Sequence, residues 1–355
     1  MYISNVDSLF FSIDIKDFEE HNKTLLQVLA FKKDEAKADT MKEVFLDLGI
    51  YKFHILPNGL RFHAYILHNE NLSISISQAR SKSKNNYPVA IRIKSIMLWQ
   101  YGYIEAYTKT MEIIQNIFKG IIIDEKISRA DLCCHIDNLN ITASDFNNFR
   151  GNFKKNELFF TNRKLTGITF GTFTEKNCML RIYDKSLEIK TSGKTWFNLI
   201  WTGHDMDIEN VWNVEFQVGR TFFKEHNIET IQDFILKARA IWEKLTTEYC
   251  CLIIPDDSNI SRCSTNPIWL ELQQSYNTFI KTELIKREKQ MRCRADELLP
   301  LLTGVLLSYG ACNFNLSIDD TLEDFKNALK VYLAEKKDNA DINKLLFDRM
   351  QYIYS

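Results

Sequence analysis

One ten-residue stretch of the chain reads SRADLCCHID, residues 128–137. Alternation along a strand would place Asp131, His135 and Asp137 on one face and apolar side chains on the other. Two carboxylates and an imidazole are costly to bury unless hydrogen bonds or a cation neutralise them. Oxygen and imidazole ligands suit Mg2+ or Mn2+. The stretch therefore predicts a strand with a metal-binding face, although an edge strand with one solvated face has the same pattern.

A second stretch, SLFFSIDI at residues 8–15, has the same character, because it is rich in β-formers and ends with an aspartate near a polar turn. Each stretch is followed by a hairpin, an alternating strand and a helical pattern, at residues 51–67, 89–95 and 104–118 in the first half and 167–183, 211–218 and 228–245 in the second. The order strand, hairpin, strand, helix thus occurs twice. It predicts an α+β fold with a duplicated unit, whose antiparallel sheets either join or face each other.

The last part of the chain changes to helical periodicity from about residue 269. A length of 355 residues with 45% hydrophobic content is enough for more than one compact unit, and no low-complexity linker marks a boundary. We therefore predict three regions from the patterns alone: an N-terminal α+β repeat at 1–125, a second α+β repeat at 126–260 and a helical C-terminal region at 261–355.

Composition favours a cytoplasmic protein. The opening MYISNVDSLFF lacks the basic and apolar segments of a signal peptide, and no window has the length and apolarity of a membrane span. Eight cysteines without CxxC spacing predict reduced thiols. The net charge is −1, but two basic stretches, at residues 80–94 and 281–294, are either solvated faces or nucleic-acid contacts.

A tyrosine between two cations stands out in the segment LRIYDKSLEI. Alternation places Arg181, Tyr183 and Lys185 on one face. A phenol with a pKa near 10 needs nearby positive charge to act as a nucleophile, and two cations could also hold a phosphate. The other interpretation is a half-buried strand tyrosine that covers the core, which describes most of the 14 tyrosines in the chain.

The segment VWNVEFQV, residues 211–218, places Glu215 among hydrophobic neighbours. If its strand lies beside the strand of Asp131, the two carboxylates could share a metal ion. The alternative is that Glu215 pairs with Arg220 or Arg181.

Five features in this order resemble the replication initiation factor (Rep_trans) family of rolling-circle initiators and conjugative relaxases. They are the opening VDSLFFSID, the Arg-x-Asp strand at 129–131, the hairpin segment at 167–171, Arg-x-Tyr-x-Lys at 181–185 and the Val-Glu strand at 214–215. The segment SRCSTNPIWLELQ at 261–273 also resembles the family's connection to its C-terminal helices. The ordered set makes the resemblance specific.

The resemblance implies an HUH-like nuclease fold without the paired-histidine motif, with a DNA-binding first repeat and a catalytic second repeat. It implies that Tyr183 attacks a DNA phosphate to leave a 5'-phosphotyrosyl link, with Arg181 and Lys185 beside it. Asp131 and Glu215 would hold Mg2+ or Mn2+. Where the family often has a second aspartate this chain has His135, so either His135 or Asp137 is expected as the third ligand.

The partners implied are double-stranded and nicked single-stranded DNA at an origin or transfer site, a host helicase and a second copy of the chain, with no membrane. The activity would start rolling-circle replication of a plasmid, phage or mobile element, or transfer of an integrative conjugative element. A catalytically idle DNA-binding regulator of the same fold is a second hypothesis, and a helical C-terminal region that recruits a partner is a third. Tyr65, taken as the counterpart of Tyr183 in the first repeat, is expected to be structural.

Overall fold

The computed structural model describes residues 1–39, 43–80, 86–151, 153–173, 178–276 and 295–336. The chain divides into two compact units, Met1–Lys286 and Arg287–Ser355, which are treated separately below. The three-region division stays a prediction. No helix in the described ranges is long and apolar enough to cross a membrane.

The first unit is built on an antiparallel sheet, which has eleven strands in the described part of the chain. In chain order its strands are β1 (Tyr2–Ile15), β2 (Phe45–Leu48), β3 (Tyr51–Ile55), β4 (Tyr65–His68), β5 (Leu72–Ile76), β6 (Val89–Ile93), β7 (Ile122–Asp137), β9 (Asn156–Thr161), β10 (Lys164–Phe170), β11 (Cys178–Asp184) and β12 (Val211–Gly219). Two short strands, β8 (Phe149–Gly151) and β13 (Cys250–Leu252), pair separately.

The strand order shows the predicted duplication. The longest strands, β1 and β7, pair with each other in the middle of the sheet. Outward from β1 run β6, β5, β4, β3 and β2, and outward from β7 run β12, β11, β10 and β9. The two sheets therefore join edge to edge, which confirms the α+β class and selects joined over facing sheets.

The assignment of Tyr65 as the counterpart of Tyr183 is wrong. Tyr65 lies on β4, which corresponds to β10, whereas Tyr183 lies on β11, which corresponds to β5. The sequence patterns had not separated β5 as a strand of its own, so the hairpin of the first half was matched one strand too early.

The helices of this unit are α1 (Phe18–His21), α2 (Lys23–Ala38), α3 (Ser95–Ile117), α4 (Lys185–Ser192), α5 (Phe197–Gly203), α6 (Arg220–Glu225), α7 (Ile231–Lys244) and α8 (Pro267–Gln273). The predicted helix at 104–118 is the second part of α3, which begins earlier and is interrupted at Gly102. Thr230 begins α7 with a capping box, in which its side chain and that of Asp233 each accept from the other's backbone N–H.

The main core lies on the apolar face of the sheet. Alternate residues of β1, β7, β11 and β12 turn their apolar side chains to that face, and α3 and α7 pack against β1 and β7. The helix α2 covers β3 and β4. A smaller apolar cluster forms around α5 with Phe197 and Trp201, and Trp99 of α3 packs against it. The polar side chains of the central strands are left for the other face.

The second unit contains α9 (Ala295–Cys312) and α10 (Ile318–Lys336). These two helices confirm the predicted helical character of the C-terminal region. The predicted basic stretch at 281–294 lies outside the described residues, as do residues 81–85 of the first basic stretch and the turn at 174–177.

Candidate active site

Strand pairing brings the predicted residues onto one face. β12 lies between β7 and β11, as the proposed metal pair requires. Arg181 on β11 lies opposite Glu215 on β12, and Tyr183 lies opposite Asn213. Since cross-strand partners share a face, these four side chains converge.

A pocket of about 490 Å³ opens on this polar face. Five cationic and four carboxylate side chains line it, together with the nucleophile candidate: Arg92, Arg129, Arg181, Lys185 and Lys194; Asp7, Asp131, Glu188 and Glu215; and Tyr183. Of the residues predicted from the sequence, Tyr183, Arg181, Lys185, Asp131 and Glu215 all line this pocket, whereas His135 and Asp137 do not.

The Tyr183 hydroxyl has three polar neighbours. It donates a hydrogen bond to Glu215 Oε2 at 3.0 Å, and it accepts one from Asn213 Nδ2 at 2.9 Å and one from Lys185 Nζ at 3.4 Å. Burial and the charge of Glu215 raise the pKa of Tyr183 well above its ordinary value, although Asn213 and Arg181 act in the opposite direction. The resting phenol is therefore protonated, and a carboxylate accepts its hydrogen bond.

Glu215 is buried, and its two carboxylate oxygens have different partners. Oε1 accepts from Arg181 Nη2, and Oε2 accepts from Tyr183 and, at 3.1 Å, from Asn213 Nδ2. The ion pair with Arg181 is the alternative suggested by the sequence. Arg220 pairs with Glu229 instead. Glu215 thus forms the expected ion pair and also contacts the nucleophile candidate.

Asp131 is also buried, and Arg129 holds it through two parallel hydrogen bonds. The distances are 2.8 Å from Nε to Oδ1 and 2.7 Å from Nη2 to Oδ2. Burial raises the pKa of Asp131, Arg129 opposes that shift, and the charge of Glu215 adds to it. The net direction is upward, because two buried carboxylates lie near each other.

Lys185 begins α4 directly after β11. The Asp184 side chain accepts from the Leu187 backbone N–H at 2.9 Å and caps this helix. The Lys185 side chain is only 1% exposed, and its Nζ lies 2.7 Å from Glu188 Oε2 and 3.4 Å from the Tyr183 hydroxyl. A buried ammonium is tolerated only when it is paired, so this charge is fixed beside the phenol.

His135 lies away from the acidic pair, in an aromatic cluster. Its ring stacks on Trp99 at a centroid distance of 4.5 Å and meets Phe197 edge-on, and its Nδ1 accepts from Trp201 Nε1 at 3.0 Å. Because the indole can only donate, the neutral imidazole carries its proton on Nε2 and offers no free lone pair to a cation. Burial and Lys185 lower the pKa of His135 well below its ordinary value.

Asp137, the other candidate for the third ligand, lies at the far end of β7. Its Oδ2 accepts from the Asp207 backbone N–H at 3.1 Å. Neither candidate for the third metal position therefore lies at the pocket, and the predicted set of Asp131, His135 and Glu215 is not brought together.

The acidic pair alone fits part of a cation site. Each carboxylate is held by an arginine but keeps acceptor lone pairs. No three His, Cys, Asp or Glu side chains form a metal-binding group in the described ranges. Mg2+ is often held by one or two carboxylates, with water and substrate phosphate completing the shell.

Sequence reasoning gave no role to two polar residues of this site. Asp7 lies at a β-bulge of β1 and accepts from Ser95 Oγ at 2.6 Å and Trp99 Nε1 at 3.0 Å. Burial acts to raise its pKa, but Lys185 and Ser95 outweigh that effect and hold the pKa of Asp7 below its usual value. Asn213 lies two residues before Glu215 and so shares its strand face, and its contact with Tyr183 follows from the pairing of β11 with β12.

Comparisons with protein-family models and with curated proteins give no match. Among solved structures, the chain is similar to a rolling circle replication initiator protein from Geobacillus stearothermophilus. The TM-score is 0.47 and the sequence identity 14%, over 80% of this chain and 100% of the other.

Proposed function

We propose that this protein nicks and rejoins one strand of DNA, with Tyr183 as the nucleophile, and so starts rolling-circle replication of a plasmid, phage or mobile element. The observation that carries the proposal is the Tyr183 hydroxyl, which donates to the Glu215 carboxylate in an open pocket lined by arginines. Transfer of an integrative conjugative element is the alternative setting, because it uses the same chemistry.

Proton transfer explains how a phenol with a raised pKa reacts. Glu215 Oε2 accepts the proton as the phenol oxygen attacks phosphorus, while Asn213 and Lys185 donate to the developing phenolate. The new Tyr–O–P bond forms as the bond from phosphorus to the 3' oxygen breaks, and that oxygen takes up a proton. The phosphodiester energy is kept in the tyrosyl ester, so the strand can be rejoined.

Two arginines are suited to the scissile phosphate. The Arg181 side chain is 38% exposed and that of Arg129 29% exposed, although each also holds a buried carboxylate. Guanidinium groups of this kind have donors left for a phosphate oxygen. Their fixed positive charge would stabilise the phosphate as charge develops on it, a contribution typically worth about 3 to 4 kcal/mol per donor.

Asp131 and Glu215 are the residues that would hold Mg2+ or Mn2+. Such a cation supplies Lewis-acid polarisation of a phosphoryl oxygen. His135 would not serve as a third ligand in this proposal, because its ring is stacked on Trp99 and its Nδ1 accepts from Trp201.

The decisive test uses supercoiled DNA from the mobile element that carries this gene, with Mg2+ or Mn2+ and with a chelator. The wild-type protein should nick the DNA and become covalently linked to it, and the chelator should abolish both. Tyr183→Phe should lose nicking and adduct formation by at least roughly a thousandfold, because the attacking oxygen is gone.

Tyr51→Phe is the matched control, since Tyr51 is a partly buried strand tyrosine of the first half. It should nick like the wild type. Nicking and adduct formation by Tyr183→Phe would remove Tyr183 as the nucleophile. DNA binding by a wild-type protein that never nicks would favour the idle regulator instead.

A further inference from the structure

An exposed aromatic side chain forms one wall of the pocket beside Tyr183. Phe159 lies on the edge strand β9 and is 48% exposed. It pairs with Gly167 on β10, and Gly167 pairs with Tyr183 on β11. The three residues thus lie in one cross-strand row on the face of the pocket.

Gly167 leaves the space between Phe159 and Tyr183 open. A Cβ atom at this position would lie 3.4 Å from Tyr183 Cβ and 3.6 Å from Phe159 Cδ2. Because the glycine has no side chain, nothing at this position fills the space between the side chains of Phe159 and Tyr183. A flat group bound over Gly167 would therefore lie between Phe159 and Tyr183, which both line the pocket.

The opposite wall carries two cations, and both lie over an aromatic ring outside the pocket lining. The guanidinium groups of Arg92 and Arg129 lie 5.0 and 4.9 Å from the centroid of Phe10. Arg92 is exposed and donates to Ser8 Oγ at 3.1 Å, and in the described ranges it forms no ion pair. The pocket thus has the ring of Phe159 on one side of Tyr183 and, on the other, the guanidinium group of Arg92 without an ion-pair partner in the described ranges.

We propose that Phe159 stacks on the nucleobase next to the phosphate that Tyr183 attacks. The inference rests on the proposed function and assigns a substrate-binding residue to it. A base has a free π-face only when it leaves the duplex, and stacking on an aromatic ring combined with cations along the backbone is how single strands are held. The cations favour a polyanion over an apolar protein segment.

The neighbouring residue provides a matched control. Phe160 is 53% exposed, but it lies on the other face of β9 and lines a separate cavity of about 420 Å³ with Arg163 and Trp212. Truncating either phenylalanine removes an exposed ring from the same edge strand. Only Phe159→Ala removes a ring beside Tyr183.

The first measurement is fluorescence anisotropy of a labelled oligothymidine of about 12 nucleotides with the full-length protein. Phe159→Ala should weaken binding by at least roughly fivefold, and Phe159→Trp should restore it, because stacking on one base is commonly worth that much or more. Phe160→Ala should stay within about twofold of the wild type. Equal losses for both alanine variants, or no loss for Phe159→Ala, would overturn the proposal.

The second measurement locates the base. Sequencing the DNA attached to Tyr183 gives the nick site, and oligonucleotides across it are made with an abasic position on either side of the scissile phosphate. At one of these positions the abasic change should cost the wild type at least roughly fivefold in binding but leave Phe159→Ala unchanged. Additive losses at both positions would refute the stacking contact.

The two proposals fail in different ways. A protein that binds oligothymidine through Phe159 but never forms a Tyr183 adduct would refute the proposed nicking and leave the stacking intact. A protein that nicks through Tyr183, with oligothymidine binding indifferent to Phe159, would refute the stacking alone.

Discussion

At the scale of single residues, the chemistry proposed for this site depends on the pairing of a phenol with a carboxylate. A tyrosine between two cations was visible in the sequence, but cations alone do not activate it here, because burial and Glu215 raise its pKa. The hydrogen bond from Tyr183 to Glu215 places a carboxylate where it can accept the phenol proton. Glu215 is therefore more than an ion-pair partner of Arg181.

Glu215→Gln tests the carboxylate as a proton acceptor. The amide can still contact Arg181 and Tyr183 but can neither take the proton nor offer a charged ligand to the metal, so we expect nicking to fall by about 100- to 10,000-fold, and a loss that persists at saturating Mg2+ belongs to proton transfer. The rate is measured in single turnover on supercoiled DNA, with binding followed separately. Glu209→Gln, which removes an exposed carboxylate paired with Lys190, is the control and should keep the wild-type rate. A Glu215→Gln variant that nicks normally would show that another group accepts the proton.

At the scale of elements, alternation and motif order predicted the strands that matter and the faces of their side chains. The sequence suggested that Asp131 and Glu215 could share a metal ion only if their strands were neighbours. In the sheet, β7 and β12 are neighbours. His135 shows the limit of such reasoning. Its strand face was right, but a face extends beyond one pocket, and aromatic rings of α3 and α5 enclose this part of it.

Phe159 could not be identified from the sequence for a related reason. An aromatic residue on an edge strand is indistinguishable by pattern from one that covers the core. Its position beside Tyr183 depends on β9 pairing with β10 and on the glycine between the two rings. Asp7 was equally hidden, because a β-bulge in β1 interrupts the alternation at that point.

The end of β10 offers a test of element packing. Gly171 has a φ of +78°, and a Cβ there would lie 2.4 Å from the Tyr249 hydroxyl, which donates to the Cys178 carbonyl at 2.6 Å. Gly171→Ala should lower the free energy of unfolding by at least about 2 kcal/mol, from the left-handed backbone and the clash together. Urea unfolding measures the change.

Removing the hydroxyl separates the two causes. Tyr249→Phe alone should cost about 1 kcal/mol for its hydrogen bond. In the double variant the clash is relieved, so the loss should be smaller than the sum of the single losses. Strict additivity would mean that the Tyr249 ring moves aside at no cost and that the backbone conformation accounts for the whole effect.

At the scale of the whole molecule, the two halves of the first unit are joined twice. The pairing of β1 with β7 joins their backbones. On the polar face, Trp99 from the first half and Phe197 and Trp201 from the second enclose His135. Folding of the joined sheet therefore buries a titratable ring, and the stability of the unit becomes linked to pH.

The sign of this linkage follows from the depressed pKa of His135. An unfolded histidine takes up a proton below about pH 6.5, but the folded one does not, so its stabilising contribution is present above that pH and is lost as the pH falls. Between pH 7 and 5 the wild-type free energy of unfolding should therefore fall more steeply than that of His135→Gln, by up to about 1.4 kcal/mol per pH unit.

The other titrating groups are common to both proteins and cancel in the comparison of slopes. Urea unfolding at several pH values gives the slopes. Equal slopes for the wild type and His135→Gln would mean that the aromatic cluster admits a protonated ring, and that His135 is not held neutral by the fold.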